Sequence, residues 1–201
     1  MDKLLRNYRR FRTEDLPERR ALFERLAREG QSPRAMVIAC ADSRADPAMI
    51  FDTEPGELFV VRNVAAIVPP FAPDGKYHGT SAALEYAVQV LQVPVLIVLG
   101  HALCGGVGAL LRGVPDATPD FLGPWVHIAD AARHRVLECA PADPQAMGEQ
   151  EVVKLSLGNL LTFPWIAARV AESKLTLYGA KFDIRTGALS LLQPDGGFAE
   201  I

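Results

Sequence analysis

Two cysteines and one histidine of this 201-residue chain stand at positions where their side chains can meet. Cys40 follows the apolar run MVIA, and His101 precedes Cys104 by three positions in the segment VLIVLGHALC. Two thiols and an imidazole are the donors of a zinc site with three protein ligands, which keeps a fourth position for water. Short His and Cys spacings arise by chance, so the pattern becomes specific only because Cys40 ends a second predicted strand.

A carboxylate and a guanidinium follow Cys40 at alternate positions of the sequence. Alternate side chains of an extended chain point to the same side, which would place Cys40, Asp42 and Arg44 together if the extended geometry continues. Arg44 can then hold Asp42 in a bidentate ion pair, and Asp42 can accept a hydrogen bond from zinc-bound hydroxide. If that pair breaks, Asp42 could itself close the metal site.

The elements that must position these residues are three short apolar runs, at residues 35–39, 58–61 and 95–99. None of the runs alternates, which predicts strands buried on both faces and therefore a parallel sheet. Between the last two runs, residues 78–91 carry a helical apolar stripe that can serve as a crossover. Open sheets of this kind bind ligands at the carboxyl ends of their strands, where Cys40 and His101 are expected.

The rest of the chain completes an α/β fold with a mostly parallel central sheet flanked by helices. We expect a single domain over residues 1–201, in which residues 1–30 form an N-terminal helical arm. Pro164 should kink or split the last long helix, and residues 175–192 predict a C-terminal β-hairpin that turns at residues 185–187. The expected helices are residues 2–12, 17–29, 105–112, 121–139 and 144–173.

Composition excludes several classes of partner. Twenty-one Lys and Arg against 24 Asp and Glu give a formal net charge of −3, without the positive field that nucleic acid attracts. No apolar run approaches the ~20 residues that cross a bilayer, and the opening is too charged for a signal-peptide core. We therefore expect a cytoplasmic protein that binds neither nucleic acid nor membrane. Its three cysteines favour thiols or metal ligands over disulfides, with Cys139 as a packed core thiol.

The motifs resemble those of the β-class carbonic anhydrases, with C-x-D-x-R at residues 40–44 and H-x-x-C at residues 101–104. The resemblance implies one Zn²⁺ per chain, held by Cys40, His101 and Cys104, and reversible hydration of carbon dioxide to bicarbonate and a proton. It further implies that Asp42, fixed by Arg44, orients the zinc hydroxide. Other segments that look like the family's follow in the same order, at residues 30–33, 54–57, 59–65, 79–80, 85–86, 100–106, 178–179, 182–184 and 186–187.

The resemblance also implies a pocket for an uncharged, apolar substrate. Such a pocket should be mostly apolar, with one or two donors aimed at the oxygens that become negative. In the family its walls come partly from a neighbouring subunit, so a homodimer or a dimer of dimers is implied, with the N-terminal helices packing on the partner. The matching positions are Gln31, Phe59, Val64, Tyr86 and the backbone N–H of Gly105.

One departure from the bicarbonate-inhibited bacterial members concerns regulation. Val37 stands where those members carry a tryptophan, although Arg62 matches another component of their anion site. The sequence is therefore similar to the plant-like type. We expect an open site, in which Asp42 stays paired with Arg44 and off the metal.

Other functions are compatible with the same residues. A zinc hydroxide could also attack carbonyl sulfide or carbon disulfide, and pocket width would decide between these substrates. A non-catalytic zinc module would have Asp42 as its fourth donor. The glycines at 105, 106 and 108 suggest a phosphate cradle, but they match neither G-x-G-x-x-G nor a P-loop. A nucleophilic Cys104 with His101 as base would leave Cys40 unexplained.

Overall fold

The computed structural model describes residues 1–115 and 120–201. Within them the strands form one sheet in the order β2-β1-β3-β4-β5-β6, in which β1 to β4 pair in parallel and the pairs β4–β5 and β5–β6 are antiparallel. The expected α/β fold with a mostly parallel sheet and a C-terminal hairpin is confirmed. The strands are β1 (Ala35–Cys40), β2 (Leu58–Asn63), β3 (Val95–His101), β4 (Thr176–Phe182), β5 (Leu189–Leu192) and β6 (Phe198–Glu200).

The central strand β1 is buried along its whole length, because helices and neighbouring strands cover both of its faces. This burial explains why its sequence is apolar without alternation. In the pairing of β1 with β3, Ala39 lies opposite Leu99. Cys40 and His101 therefore end two neighbouring strands at the same edge of the sheet.

Helices surround the sheet and complete the described chain. They are α1 (Asp2–Arg10), α2 (Leu16–Glu29), α3 (Pro47–Ile50), α4 (Gly79–Glu85), α5 (Gly105–Arg112), α6 (Leu122–His127), α7 (Asp130–Cys139), α8 (Pro144–Leu160) and α9 (Pro164–Ala171). Two π-helical turns extend neighbouring helices, at Phe11–Asp15 and Tyr86–Val90, and a 3₁₀ turn covers Val64–Ala66. None of the helices described is both long and apolar enough to cross a membrane.

Three boundaries differ from the sequence-based expectation. The two N-terminal helices are joined by the π-helical turn Phe11–Asp15, in which the Thr13 hydroxyl donates to the carbonyl of Arg9 at 3.0 Å. The helix expected over residues 121–139 breaks at Ala129, whose backbone N–H donates to the carbonyl of Val126, three residues earlier, just before α7 begins. Strand β6 was not expected, because its three residues are too few to show the alternation of apolar and polar residues that indicates a strand.

Glycines let α8 lie directly on β3 and β4. A Cβ atom at Gly100 would come within 2.7 Å of Val153, and one at Gly179 within 2.9 Å of the same side chain. The contact distances between such carbons are ~3.5–4.0 Å, so a side chain at either glycine would push the helix outward. The close approach brings the first turns of α8 beside the turn that follows β3.

The N-terminal arm makes far fewer contacts than the sheet. Helix α1 contains no buried residue. Leu4, Leu5 and Tyr8 are all exposed on it, forming an apolar stripe at helical spacing. An amphipathic helix gains most of its stability by burying such a stripe.

Candidate metal centre

The structure brings Cys40, His101 and Cys104 together at the carboxyl edge of the sheet. Their ligand atoms all lie within 4.8 Å of one another, and all three residues are buried. In residues 1–115 and 120–201 this is the one group of three or more Cys, His or acidic side chains close enough to share a metal ion. The donor set of two sulfurs and one nitrogen is that of a zinc site with an open fourth position.

His101 presents a free lone pair to the two sulfurs. Its Nδ1 lies 2.9 Å from the carbonyl oxygen of Ala102. A carbonyl can only accept, so Nδ1 carries the proton and Nε2 carries the lone pair. Nε2 is buried and has no hydrogen-bond partner in the described part of the chain. A buried nitrogen without a partner is costly, whereas a metal-binding histidine is held by such a bond from its other nitrogen.

The two sulfur atoms lie 3.9 Å apart and share a hydrogen bond. This bond lowers the pKa of the Cys40 thiol and raises that of the Cys104 thiol. Backbone N–H groups at the start of α5, from Gly106 and Val107, favour the Cys104 thiolate. A divalent cation would supply the charge that lets both cysteines be thiolates at once, since metal binding releases ligand protons.

The start of α5 must approach the turn after β2 closely to place Cys104. A Cβ atom at Gly106 would lie 2.6 Å from Val64 and 2.9 Å from Ala65. Only a glycine fits at this position without displacing the turn. At Gly105 a Cβ atom would meet nothing within 4 Å.

The turn after β2 forms the opposite wall of the site and depends on Asn63. The Asn63 side chain accepts from the N–H of Ile67 at 3.0 Å and donates to its carbonyl at 2.9 Å. These bonds hold Ala65 in the left-handed region at φ +65°, where its backbone N–H favours the Cys40 thiolate. The sequence reasoning missed this role of Asn63, although a polar residue ending an apolar strand was a usable signal.

Asp42 and Arg44 form the expected pair, but through a turn. The extended continuation beyond Cys40 is wrong, because the chain turns where the Ala45 N–H donates to the Asp42 carbonyl at 3.0 Å. Asp42 Oδ1 accepts from the backbone N–H and Nε of Arg44, both at 2.9 Å, and Oδ2 accepts from its terminal nitrogen at 2.7 Å. These bonds hold the pKa of Asp42 well below its usual range.

The pair points its carboxylate at the ligand group. Asp42 Oδ2 lies 3.9 Å from His101 Nε2. A carboxylate oxygen can accept two hydrogen bonds. Oδ2 receives one bond from Arg44, so an acceptor position remains next to the three ligands.

Arg62 fixes the turn that carries Asp42. Its Nε donates to the Cys40 carbonyl at 2.9 Å, one terminal nitrogen donates to Asp46 at 2.7 Å, and the other donates to the Asp42 carbonyl. The guanidinium is therefore engaged by the protein's own acceptors. Val37 is fully buried inside the sheet and offers no polar group to an anion.

Comparisons with known proteins identify the family of this chain. The sequence profile described as carbonic anhydrase matches residues 35–189. Beta carbonic anhydrase 3 of Arabidopsis thaliana is 35% identical over 202 residues, covering 97% of this chain and 78% of the relative. The chain belongs to the β-carbonic anhydrase family.

Solved structures of β-carbonic anhydrases superpose on the whole chain. The β-carbonic anhydrase CcaA matches with a TM-score of 0.92 and 32% identity, covering 100% of this chain and 92% of that one. A tetrameric β-carbonic anhydrase from Sordaria macrospora matches with a TM-score of 0.83 and 28% identity, covering 98% of both chains. The chain is accordingly an enzyme of carbon dioxide hydration.

The five expected β-carbonic anhydrase pocket positions fall into separate places within one chain. Val64 and Gly105 lie next to the ligands, at the turn after β2 and the start of α5. Phe59 packs against the sheet core, and its ring centroid lies 5.7 Å from that of Tyr86, which is exposed. Gln31 is exposed and lines a groove between the end of α2 and residues 54–57. Their roles in binding substrate stay predictions.

The third cysteine lies outside the metal centre. Cys139, expected to be a packed core thiol, is exposed at the end of α7. The prediction was wrong because α7 ends at this residue and its buried side is formed by Ala132 and Val136. Cys139 is consequently a free thiol that a variant can replace without touching the site.

Proposed function

We propose that this chain binds one Zn²⁺ through Cys40, His101 and Cys104 and hydrates carbon dioxide reversibly in the cytoplasm, as a homodimer or a dimer of dimers. The observation that carries the proposal is the buried Nε2 of His101, which has no hydrogen-bond partner among residues 1–115 and 120–201 and lies within 4.8 Å of two thiols. These residues fit the metal in donor type, protonation and burial. When bound, Zn²⁺ supplies Lewis acidity that makes a water molecule reactive near neutral pH.

Asp42 orients the attacking oxygen nucleophile. Its low pKa keeps it ionised, and an ionised carboxylate only accepts hydrogen bonds. The free acceptor position of Oδ2 can therefore hold an O–H group beside the ligands in one orientation. Arg44 holds both oxygens of the carboxylate, which keeps Asp42 from coordinating the metal itself.

An apolar wall and a backbone donor receive the substrate. Val64 lies against Gly106 at the start of α5, which directly follows Cys104. Gly105 begins α5, where the N–H groups lack helical partners and favour negative charge. Carbon dioxide becomes negative at its oxygens as it reacts, so a donor at this point stabilises the transition state more than the substrate.

The second chain completes the pocket. In a single chain, Gln31 lies at the end of the arm, and Tyr86 is exposed beside Phe59. The exposed stripe of Leu4, Leu5 and Tyr8 supports a dimer in which the arm packs on its partner. The tetrameric relative from Sordaria macrospora is consistent with such an assembly.

Zinc content and the initial rate of carbon dioxide hydration, measured on one purified sample, test the proposal. We expect one zinc per chain and stopped-flow hydration that is lost with the metal. A sample that binds zinc but hydrolyses carbonyl sulfide or carbon disulfide instead would support the alternative substrates. Zinc without any hydration or hydrolysis would support a non-catalytic module and contradict the proposal.

A further inference from the structure

A carboxylate buried beneath the metal centre contacts the backbone of one ligand. Glu149 lies in α8 and is only 3% exposed. Its Oε1 accepts the backbone N–H of Cys104 at 3.2 Å. The close packing of α8 on β3, at Gly100, brings the helix to this depth.

Two neighbouring side chains fix the orientation of the Glu149 carboxylate. Gln145, one turn earlier in α8, donates to Oε1 at 2.9 Å and also to the Cys104 carbonyl at 3.0 Å. Lys181 of β4 places its Nζ 3.0 Å from Oε2. Helix α8 thus holds both the N–H and the carbonyl group of Cys104.

The backbone in front of Cys104 is strained, so it requires such support. Leu103 has φ +56°, in the left-handed region. A residue with a Cβ atom adopts this conformation only at an energetic cost. Strained residues persist only where the surroundings over-determine them. Reversal of the chain at Leu103 is what presents the Cys104 N–H to Glu149.

A contribution to global stability is a weak explanation for the buried ion pair of Glu149 and Lys181. Burying two charges is costly because both lose their hydration, and apolar replacements of buried pairs are often neutral or stabilising. The same helix holds a second buried carboxylate, Glu151, whose ion-pair partners are Arg135 at 2.9 Å and Lys154 at 2.8 Å. Glu151 is equally embedded in α8, yet neither partner belongs to the metal centre.

We infer that Glu149 is a positioning residue for the metal centre: held by Gln145 and Lys181, it fixes the Cys104 backbone so that the thiolate meets the metal in the right geometry. This inference rests on the zinc site proposed above. It assigns the pair of Glu149 and Lys181 to ligand placement, and the ion pairs of Glu151 to the packing of α7 on α8.

Zinc affinity and the visible spectrum of the Co²⁺-substituted protein test this role. The double variant Glu149→Leu/Lys181→Met removes both charges without leaving either one buried and alone. We expect its metal-free form to stay folded, with a cooperative melting transition. Its zinc affinity, measured by competition with a chromophoric chelator, should fall about 10–100-fold, as for other residues that orient metal ligands. Its Co²⁺ bands should shift, because they report ligand geometry.

The matched control is Glu151→Leu/Lys154→Met on the same helix. We expect it to leave zinc affinity and the Co²⁺ bands unchanged. Glu149→Gln keeps an acceptor oxygen for Cys104 and should lose less affinity than Glu149→Leu. Equal losses at 149 and 151, or an unshifted spectrum with full affinity in the first double variant, would overturn the inference.

A further variant keeps the test decisive if the first one does not fold. Gln145→Leu changes a half-buried residue and removes the donor that joins Cys104 to Glu149. It should weaken zinc binding in the same direction by a smaller factor, and unchanged binding would contradict the inference. If the unmutated chain binds no zinc, the proposed function fails instead, so the two failures are distinguishable.

Discussion

The carboxyl edge of the sheet and the N-terminal arm are built in opposite ways. At the sheet edge, Cys40, His101 and Cys104 are buried and meet within a single chain. In the arm, α1 has no buried residue and exposes Leu4 and Leu5. One region is complete in the monomer, whereas the other has a face that the monomer does not cover.

This difference separates metal binding from substrate binding. The ligands depend on short contacts within one chain, such as those of Asn63 with Ile67 and of Arg62 with the Cys40 carbonyl. Gln31, at the end of the arm, has no such fixed place in the metal centre. We therefore expect changes to the three ligands, or to the contacts that place them, to remove metal and activity together, and changes in the arm to remove activity alone.

Replacing a ligand should have the largest effect. Cys104→Ser exchanges a soft thiolate for a hydroxyl, so zinc content and carbon dioxide hydration should both fall by more than about tenfold. Metal analysis and stopped-flow rates on the same sample measure the effect. Cys139→Ser is the control, because that thiol is exposed and outside the site. Full zinc occupancy with unchanged hydration in Cys104→Ser would refute the ligand assignment.

Removing the guanidinium of Arg44 should lower the activity without lowering the zinc content. Arg44→Ala frees Asp42 from its bidentate pair, so Asp42 can turn onto the zinc. We expect hydration to fall about 100-fold, in the range for loss of a positioned acid–base group, while zinc stays bound. Arg185→Ala, which breaks a similar exposed pair with Asp183, is the control. Normal activity in Arg44→Ala would remove the pair from the mechanism.

Alanine substitutions at Gly105 and Gly106 distinguish a steric effect from an effect on helix propensity. Gly106→Ala would drive a Cβ atom into Val64 and Ala65, while Gly105→Ala meets open space. We expect Gly106→Ala to lower the free energy of unfolding by about 1–3 kcal/mol, as for other overpacked sites, and to weaken zinc binding. Chemical denaturation of both variants measures this contrast. Equal stability of the two would show that the turn after β2 yields without cost.

The response to acid and bicarbonate should be the smallest effect. Arg44 lowers the pKa of Asp42, so the carboxylate stays ionised through the mildly acidic range and loses its charge only at much lower pH. Arg62 is engaged by Cys40, Asp42 and Asp46, and Val37 is buried. Hydration should decline smoothly on acidification, without cooperative inhibition by bicarbonate. Steep cooperative inhibition, or a crystal structure near pH 8 with Asp42 on zinc, would contradict the open site.

The sequence correctly predicted the strands, the strand ends that carry the ligands and one helix break. Apolar runs located the parallel strands, and their ends located Cys40 and His101 at one edge of the sheet. Pro164 marked the break between α8 and α9. These features depend on residue type and spacing, which a sequence states directly.

Other features of the site depend on tertiary contacts that the sequence does not state. The left-handed Leu103 gives no signal, since leucine rarely adopts that conformation. Glu149 in a helix is typical of a solvated residue, and only the packing of α8 on the sheet buries it. The segment after Cys40 was expected to be extended but forms a turn, because the C-x-D-x-R spacing is compatible with both an extended chain and a turn.

A chain that begins at Gln31 tests most directly whether one chain suffices for metal binding while two are needed for the substrate pocket. Analytical ultracentrifugation, zinc analysis and stopped-flow hydration on one sample of it should show a monomer that keeps one zinc per chain and has lost carbon dioxide hydration. The full-length chain, measured alongside, should sediment as a dimer or larger and be active. A fully active monomer, or a truncated chain that no longer binds zinc, would contradict a metal centre complete in one chain and a substrate pocket completed by two.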